Sequence, residues 1–285
     1  MALKRTDFDY VASLAHSGAA IVLEPGKEYL VESRLEPVAR AEGFGSLEAM
    51  LGALRNHDRN GPLHGKIIDA LTTNETFFFR DFHPFEALRK NILPELLRLR
   101  AEVKRLTLWS AACSTGQEAY SLAMLMREHF PQLKDWNLRI VGTDLSPKVL
   151  TQAREGKYTQ LEVNRGLPAV YLMKYFERRD NAWFIKSELK TGIEFRSMNL
   201  AQPWPILPAF DLIFLRNVMI YFDVATKRSI LKRIRSCLLP HGSLFLGTAE
   251  TTINLDPGWK PVTYGNAVAY QMHPDPAPAL SGRTT

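Results

Sequence analysis

A turn of small residues follows the apolar, β-prone run at residues 106–111 and leads into an amphipathic helical segment at 117–128. Ala112, Ser114 and Gly116 occupy this turn, where small side chains let a ligand approach the backbone closely. Two of the three glycines of a G-x-G-x-x-G fingerprint are missing, and no Walker A pattern is present. The turn therefore predicts a nucleotide-type ligand at a strand end, but it argues against a dinucleotide pyrophosphate.

Two acidic residues accompany this turn. Asp144 ends the next apolar run, 28 residues after Gly116, a separation typical of an acid that accepts hydrogen bonds from ribose hydroxyls. Asp144 could instead cap the following helix, but Ser146 is the better cap. Glu118 lies in the first helical turn, where a carboxylate either stabilises the helix N-terminus or contacts an ammonium group of the ligand. The sequence leaves both interpretations of Glu118 open.

A further polar group follows the apolar run at residues 212–215. Arg216 and Asn217 come directly after it and belong at the same ligand-facing edge of a sheet. Tyr221 is the nearest hydroxyl-bearing side chain, although taken alone it is better explained as a core aromatic with an exposed hydroxyl. Residues 238–242 form a turn before another strand, an order that recurs in methyltransferases. Together these features favour an S-adenosylmethionine fold over an NAD fold.

Alternating segments must position these residues. From residue 105 onward, apolar runs alternate with amphipathic helical segments, which indicates a parallel sheet covered by helices. Residues before about 71 show only helical spacing of apolar side chains. We therefore expect an α/β fold with a Rossmann-like class I methyltransferase sheet. Its parts are a small all-helical N-terminal domain at 1–75, a linker helix and junction at 76–104, a cofactor-binding domain at 105–273 with an inserted small β-subdomain at about 165–195, and a flexible tail at 274–285.

The composition of the 285 residues is that of a globular protein, with a formal net charge of +6. No apolar run is long enough to span a membrane, and the N-terminus lacks a signal segment, so we expect a cytoplasmic protein. The two cysteines, Cys113 and Cys237, predict neither a disulfide framework nor a metal site. The basic charge is compatible with nucleic acid, with an acidic protein partner, or with a solvated surface.

Three motifs resemble the CheR family of chemotaxis-receptor methyltransferases. They are LTTNETFFFR at 71–80, WSAACSTGQEAYS at 109–121 and FDLIFLRNVMIYFD at 210–223, in the family's order. The resemblance covers nearly the whole chain and implies methylation of receptor glutamates for sensory adaptation, with S-adenosylmethionine as methyl donor and S-adenosylhomocysteine as product. With the turn residues Ala112 and Gly116, the implied cofactor pocket comprises Asn74, Thr76, Arg80, Glu118, Asp144, Asn199, Leu200, Arg216 and Asn217.

The resemblance also implies two catalytic candidates, Arg80 and Tyr221. A glutamate is already an anion at neutral pH, so methyl transfer to it requires no general base. Arg80 would hold the carboxylate or support the cofactor, and Tyr221 would orient the incoming oxygen. Catalysis would then depend on in-line positioning and on removal of water.

In this family the helical domain presents a basic face to the acidic helices of the receptor. Lys27, Arg34 and Arg40 match those basic positions, and Pro37 interrupts the stretch that carries them. Residues 178–183 form a short hairpin without glycine, whereas relatives that tether to the receptor's C-terminal pentapeptide have a longer glycine-rich loop. We therefore expect receptor docking without strong pentapeptide tethering, by a monomeric enzyme.

Three alternatives compete with this interpretation. A nucleic-acid methyltransferase fits the basic charge, but base-methylating enzymes often carry an Asn/Asp-Pro-Pro-aromatic run where this chain has Arg216 and Asn217. A methyltransferase of another protein substrate is a second possibility. The third is a regulatory module that binds the cofactor without turnover, and the intact set of pocket residues argues against it.

Overall fold

Four helices form the N-terminal domain of the computed structural model, which describes residues 3–55 and 61–273. They are α1 (Arg5–Ala19), α2 (Glu28–Ala41), α3 (Leu47–Arg55) and α4 (Pro62–Leu71). Apolar residues at helical spacing, such as Phe8, Val11 and Ala15 of α1, pack into a core separate from that of the sheet. Helix α2 continues through Pro37 without a break. The predicted tail at 274–285 lies outside the described residues.

The connecting segment is shorter and less regular than the single helix expected there. It consists of α5 (His83–Ala87), a π-helical turn (Leu88–Ile92) and α6 (Leu93–Leu99). Pro94 lies in the first turn of α6, where its missing N–H costs no hydrogen bond within the helix. The π-helical turn before it absorbs the change of register between the two helices.

The rest of the described chain is an α/β domain. In chain order its elements are β1 (Arg105–Ala111), α7 (Gln117–His129), β2 (Asn137–Asp144), α8 (Pro147–Glu155), β3 (Lys157–Tyr158), α9 (Gln160–Asn164), α10 (Ala169–Tyr175), β4 (Phe176–Arg179), β5 (Ala182–Ile185), α11 (Ser187–Lys190), β6 (Ile193–Ser197), β7 (Phe210–Leu215), α12 (Val224–Cys237), β8 (Leu238–Leu246), β9 (Trp259–Tyr264) and β10 (Ala267–Met272). Two 3-10 turns, Pro131–Asp135 and Met219–Tyr221, complete it.

Seven strands form the main sheet, in the order β6-β2-β1-β7-β8-β10-β9. The first five are parallel, and β10 and β9 are added antiparallel. The chain moves outward from β1 to β2 and β6, then returns to place β7 on the other side of β1. This reversal creates a crevice beyond the carboxyl ends of β1 and β7, the usual ligand position in such sheets. The predicted Rossmann-like sheet is confirmed.

Helices cover both faces of this sheet because its central strands are apolar on both sides. Leu108 and Phe214 pack with α5, α6 and α7 on one face, while Trp109 and Ile213 pack with α12 on the other. This division follows the two-residue period of a strand, which sends successive side chains to opposite faces. Continuous burial along β1 and β7 is therefore what made these strands recognisable as apolar runs.

Two details differ from the sequence-based expectations. Residues 238–242 were expected to form a turn, but they belong to β8: Phe210 pairs with Leu238 and Leu212 with Ser243, so five steps along β8 match two along β7. The extra residues form a bulge in a strand rather than a separate turn. The small β-subdomain also begins before residue 165, because β3 joins β5 and β4 in a three-stranded sheet of order β3-β5-β4.

Within residues 3–55 and 61–273, no helix has both the length and the apolar character needed to cross a membrane. Cys113 and Cys237 are both free thiols.

Candidate active site

A cavity lies at the carboxyl edge of the sheet, between the strand ends, the segment after α4 and the segment after α1. Helix ends and strand ends meet here, so polar backbone and side-chain groups converge on one space. Most of the residues predicted for cofactor binding and catalysis line it: Asn74, Thr76, Arg80, Ala112, Glu118, Asp144, Asn199, Leu200, Arg216, Asn217 and Tyr221.

Gly116 is the predicted pocket residue that does not line the cavity. Its φ is +92°, and a Cβ at this position would lie 3.0 Å from the Cβ of Ala153 and 3.1 Å from the ring of Phe195. Glycine is therefore required for close packing of the turn against α8 and β6, behind the cavity wall. The sequence located the glycine correctly in the turn, but the structure gives it a packing role.

The turn after β1 is fixed by hydrogen bonds to two other segments. Ala112 and Ser114 have φ values of +57° and +49°, which side chains with a Cβ rarely adopt. The Ser114 N–H donates to Oδ2 of Asp144 at 2.8 Å, and the Ser114 hydroxyl donates to the Asn74 carbonyl at 2.8 Å. These bonds hold the small-residue turn, the acid after β2 and the first motif together around one cavity.

Asp144 is buried and is bonded on both oxygens. Its Oδ1 accepts the Ser146 N–H at 3.0 Å, and the residue also lines the cavity. Burial raises the pKa of Asp144, while the N–H groups of Ser146 and Ser114 act in the opposite direction. Ser146 caps α8 through the Val149 N–H, as expected. Asp144 is therefore available to the cavity rather than used as the helix cap.

Glu118 and Arg216 form an ion pair on the floor of the cavity. Arg216 Nη1 donates to Glu118 Oε2 at 3.0 Å, and the Ser110 hydroxyl donates to Glu118 Oε1 at 2.7 Å. Arg216 Nη2 donates to Oδ2 of Asp81 at 2.6 Å and to the Arg80 carbonyl at 2.8 Å. The Arg216 side chain is only 1% exposed, so its guanidinium is bonded mainly to groups of the protein rather than presented to a ligand. Among the charged side chains that line the cavity, the three carboxylates of Glu75, Glu118 and Asp144 outnumber the guanidinium groups of Arg80 and Arg216, which leaves a net negative charge.

Arg80 is presented by a strained segment. Phe79, Asp81 and Phe82 have φ values of +50°, +65° and +43°, which are costly for residues with a Cβ. The Phe79 N–H donates to the Ser121 hydroxyl at 3.0 Å, and Arg216 holds the Arg80 carbonyl from the other side. The Arg80 guanidinium lies 5.5 Å from the Phe77 ring centroid and donates to the Glu75 carbonyl. The half-buried Arg80 thus stands at the cavity wall with a defined backbone.

The helical domain supplies part of the cavity through the segment after α1. The side-chain amide of Asn199 donates to the Gly18 carbonyl at 2.7 Å, and its oxygen accepts the Ala201 N–H at 2.9 Å. The Val22 N–H donates to the carbonyl of Tyr221 at 2.9 Å. Leu200 adds a buried apolar surface. Residues 18–22 are therefore fastened to two strand ends of the sheet.

The three basic residues predicted for docking have different environments. Lys27 pairs with Glu24 at 3.1 Å, and Arg40 pairs with Glu36 at 2.9 Å, both at the surface of α2 or just before it. Arg34 instead donates to the carbonyls of Leu71 and Thr72 and to the Thr73 hydroxyl. It joins α2 to the segment that leads into the cavity, so its guanidinium has an internal role.

Sequence reasoning did not identify two carboxylates of this edge, Asp81 and Glu250. Asp81 directly follows the first motif, and Glu250 lies in the turn after β8, where it bonds the backbone after β7. Neither has a clear local sequence signal, because Arg216 is 135 residues from Asp81 and three of the four N–H groups that bond Glu250 lie 30 or more residues away.

Two family models match the chain. Residues 6–72 match "CheR methyltransferase, all-alpha domain", and residues 74–265 match "CheR methyltransferase, SAM binding domain". Chemotaxis protein methyltransferase 1 of Pseudomonas aeruginosa is 39% identical, over 95% of this chain and 99% of its own length. Chemotaxis protein methyltransferase Cher2 of Pseudomonas putida is 38% identical over the same shares. The chemotaxis protein methyltransferase of Vibrio anguillarum is 36% identical, over 90% of this chain and 93% of its own length.

Proposed function

Since the chain belongs to the CheR family of methyltransferases, we propose that it transfers the methyl group of S-adenosylmethionine to glutamate carboxylates of chemotaxis receptors. The products are glutamate methyl esters and S-adenosylhomocysteine, and the output is sensory adaptation. One observation carries the proposal: Arg80 stands at the wall of a cavity whose lining carries a surplus of carboxylates. A cationic methyl donor and an anionic acceptor are thus both accommodated at one edge of the sheet.

The donor groups of the cavity fit S-adenosylmethionine. Glu118 suits an ammonium group, Asp144 suits ribose hydroxyls, and the apolar side chains of Leu145, Met198 and Leu200 suit a purine ring. When bound, S-adenosylmethionine supplies a methyl group activated by a positively charged sulfur. We assign the remaining contacts to the backbone of the small-residue turn and to Asn74, Thr76 and Asn217.

The chain's own residues then position the acceptor. The glutamate oxygen is anionic at neutral pH, so its lone pair attacks the methyl carbon as the carbon–sulfur bond breaks, and no proton moves. Arg80 holds the acceptor carboxylate by charge, and the Tyr221 hydroxyl orients the attacking oxygen. Closure of the cavity by the receptor removes water from the carboxylate, which strengthens these contacts.

A labelling experiment tests this function. A receptor fragment incubated with the enzyme and radiolabelled S-adenosylmethionine should acquire label that mild base releases as methanol. Tyr221→Phe should lower kcat about 10-fold while the affinity for S-adenosylhomocysteine stays unchanged, because only the orienting hydroxyl is lost. Base-stable label, or label on nucleic acid, would overturn the glutamate assignment. Full turnover by Tyr221→Phe with unchanged cofactor affinity would remove the tyrosine from catalysis.

We assign receptor docking to the exposed basic side chains of α2 and its approach, Lys27 and Arg40. Their carboxylate partners are surface residues, and exposed ion pairs of this kind exchange partners at little cost. The β4–β5 turn is tight, because Arg179 pairs directly with Ala182 and only two residues separate them. It has no room for a long glycine-rich loop, which supports docking without pentapeptide tethering, and we propose that the enzyme acts as a monomer.

A further inference from the structure

Glu250 makes an unusual set of contacts for a carboxylate that does not line the cavity. Its Oε2 accepts the N–H groups of Gly247 at 2.6 Å and Asn217 at 2.9 Å. Its Oε1 accepts the N–H groups of Val218 at 2.9 Å and Ile220 at 3.3 Å. The residue is only 9% exposed, so little water is available to replace these bonds.

The number of these hydrogen bonds equals the number that a carboxylate can accept. Two oxygens with two lone pairs each can accept four hydrogen bonds, and Glu250 receives four. A glutamine of the same shape has one acceptor oxygen and a donating amide group. It would leave two backbone N–H groups facing another donor, which is costly in a buried place.

The packing around Glu250 is adapted to this arrangement. A Cβ at Gly247 would lie 2.7 Å from Glu250 Oε2 and 2.8 Å from the Asn217 nitrogen, closer than real Cβ contacts allow. Asn217 itself has a φ of +58°, a conformation that needs support from its surroundings. Glu250, Gly247 and Asn217 therefore form one unit that fixes the backbone leaving β7.

That backbone carries two residues of the site. Asn217 and Tyr221 both line the cavity, and all four N–H bonds to Glu250 lie within the turn after β8 or within residues 217–220. We propose that Glu250 is a positioning residue for methyl transfer, which sets the place of Tyr221 at the cavity. The proposal rests on the proposed function, since it gives Tyr221 its role in the reaction.

A double-mutant cycle tests it on the full chain with a receptor fragment as substrate. Glu250→Gln should lower kcat by up to about 10-fold, the loss expected from removing the Tyr221 hydroxyl itself, because a displaced hydroxyl no longer orients the acceptor oxygen. The dissociation constant for S-adenosylhomocysteine, measured by calorimetry, should change less than about threefold, since Glu118 and Asp144 are untouched and Asn217 is only one of several proposed cofactor contacts. In a Tyr221→Phe background, Glu250→Gln should lower kcat by less than about threefold, because the hydroxyl it positions is already gone.

Asp211→Asn is the matched control. Asp211 is also a buried carboxylate that accepts a backbone N–H, from Thr107 at 2.8 Å, but it lies at the opposite end of β7. This variant should lose stability and keep its kcat below its melting temperature, in both backgrounds. Gly247→Ala is the second test, because it displaces the same backbone with the carboxylate intact, and it should reproduce both the loss of kcat and the dependence on Tyr221.

The outcomes separate the two proposals. If the wild type gives no base-labile label, the proposed function fails and the role of Glu250 with it. If the wild type is active and Glu250→Gln keeps full kcat, or lowers it equally with and without the Tyr221 hydroxyl, only the positioning role is overturned. Should Glu250→Gln fail to bind S-adenosylhomocysteine stoichiometrically, Gly247→Ala decides by the same two criteria.

Discussion

The two ends of strand β7 both carry buried ionic groups, but the balance of charge differs between them. At the amino end, the carboxylate of Asp211 is 1% exposed and is bonded to Arg100 at 3.1 Å and His241 at 2.9 Å. At the carboxyl end, one buried guanidinium, that of Arg216, is shared by Glu118 and Asp81. Negative charge is thus fully compensated at the amino end and in excess at the carboxyl end. The first arrangement joins elements, and the second leaves charge for a cationic ligand.

The largest predicted effect is a loss of stability without a loss of cofactor affinity, and it is expected at the amino end of β7. Asp211→Asn removes the charge that Arg100 and His241 share, and should lower the free energy of unfolding by about 2 to 3 kcal/mol, the usual value for hydrogen bonds to a charged group. Chemical denaturation measures this loss, and calorimetry with S-adenosylhomocysteine should find unchanged affinity. A loss of affinity at a temperature where the variant is folded would mean that the two ends are not independent.

The second largest predicted effect is a loss of cofactor affinity, and it is expected at the carboxyl end of β7. Glu118→Gln keeps the shape of the side chain and removes one charge from the cavity, so the dissociation constant for S-adenosylhomocysteine should rise about 10- to 30-fold. Arg216 keeps Asp81 as its partner, and the melting temperature should fall only slightly. Glu95→Gln, which affects an exposed carboxylate paired with Arg98, is the control and should bind normally. Equal affinities of the two variants would contradict a role for the surplus charge.

The smallest predicted effect is a change in acid stability. It concerns the ion pair between His16 and Asp223, which lies outside the cavity. The hydrogen bond from His16, with that from the Thr226 N–H, lowers the pKa of Asp223 from 3.8 to about 2. A lowered pKa means that this contribution to stability is complete above pH 3.8 and is lost as the pH falls towards 2. His16→Ala should shift acid unfolding slightly to higher pH, followed by circular dichroism, and leave kcat unchanged. The pair is largely exposed, so a shift of more than one pH unit would indicate a larger role than its position allows.

Much of the fold was predictable because it follows local patterns. The runs that became β1, β2 and β7 are apolar because most of their residues are buried in a parallel sheet, and their flanking helices show one apolar face. The position of Asp144 and Arg216 at one edge follows from the rule that parallel strands end together. The bulge in β8, the strand β9 and the π-helical turn before Pro94 were not predictable, since they depend on pairing and packing with distant segments.

The sequence identified most residues of the candidate site, but it did not predict which contacts each of them makes. Glu118 and Arg216 were both expected to contact the cofactor, yet their pairing with each other and with Asp81 depends on tertiary geometry. Arg34 matched a basic docking position by residue type, but its bonds to Leu71, Thr72 and Thr73 are made possible only by the packing of α2 against α4. The sequence therefore shows which side chains are available, whereas the tertiary structure determines which groups each of them contacts.

The bonds that fasten residues 18–22 to Asn199 and Tyr221 have a consequence for protein engineering. The helical domain is a tempting module to exchange between relatives in order to change receptor choice. Here, however, such a chimera would also replace a wall of the catalytic cavity. If the helical domain docks the receptor as proposed, receptor choice and turnover therefore cannot be exchanged independently. A functional exchange would have to keep residues 18–22 of this chain, or transplant the matching residues around Asn199 and Tyr221 together with the helices.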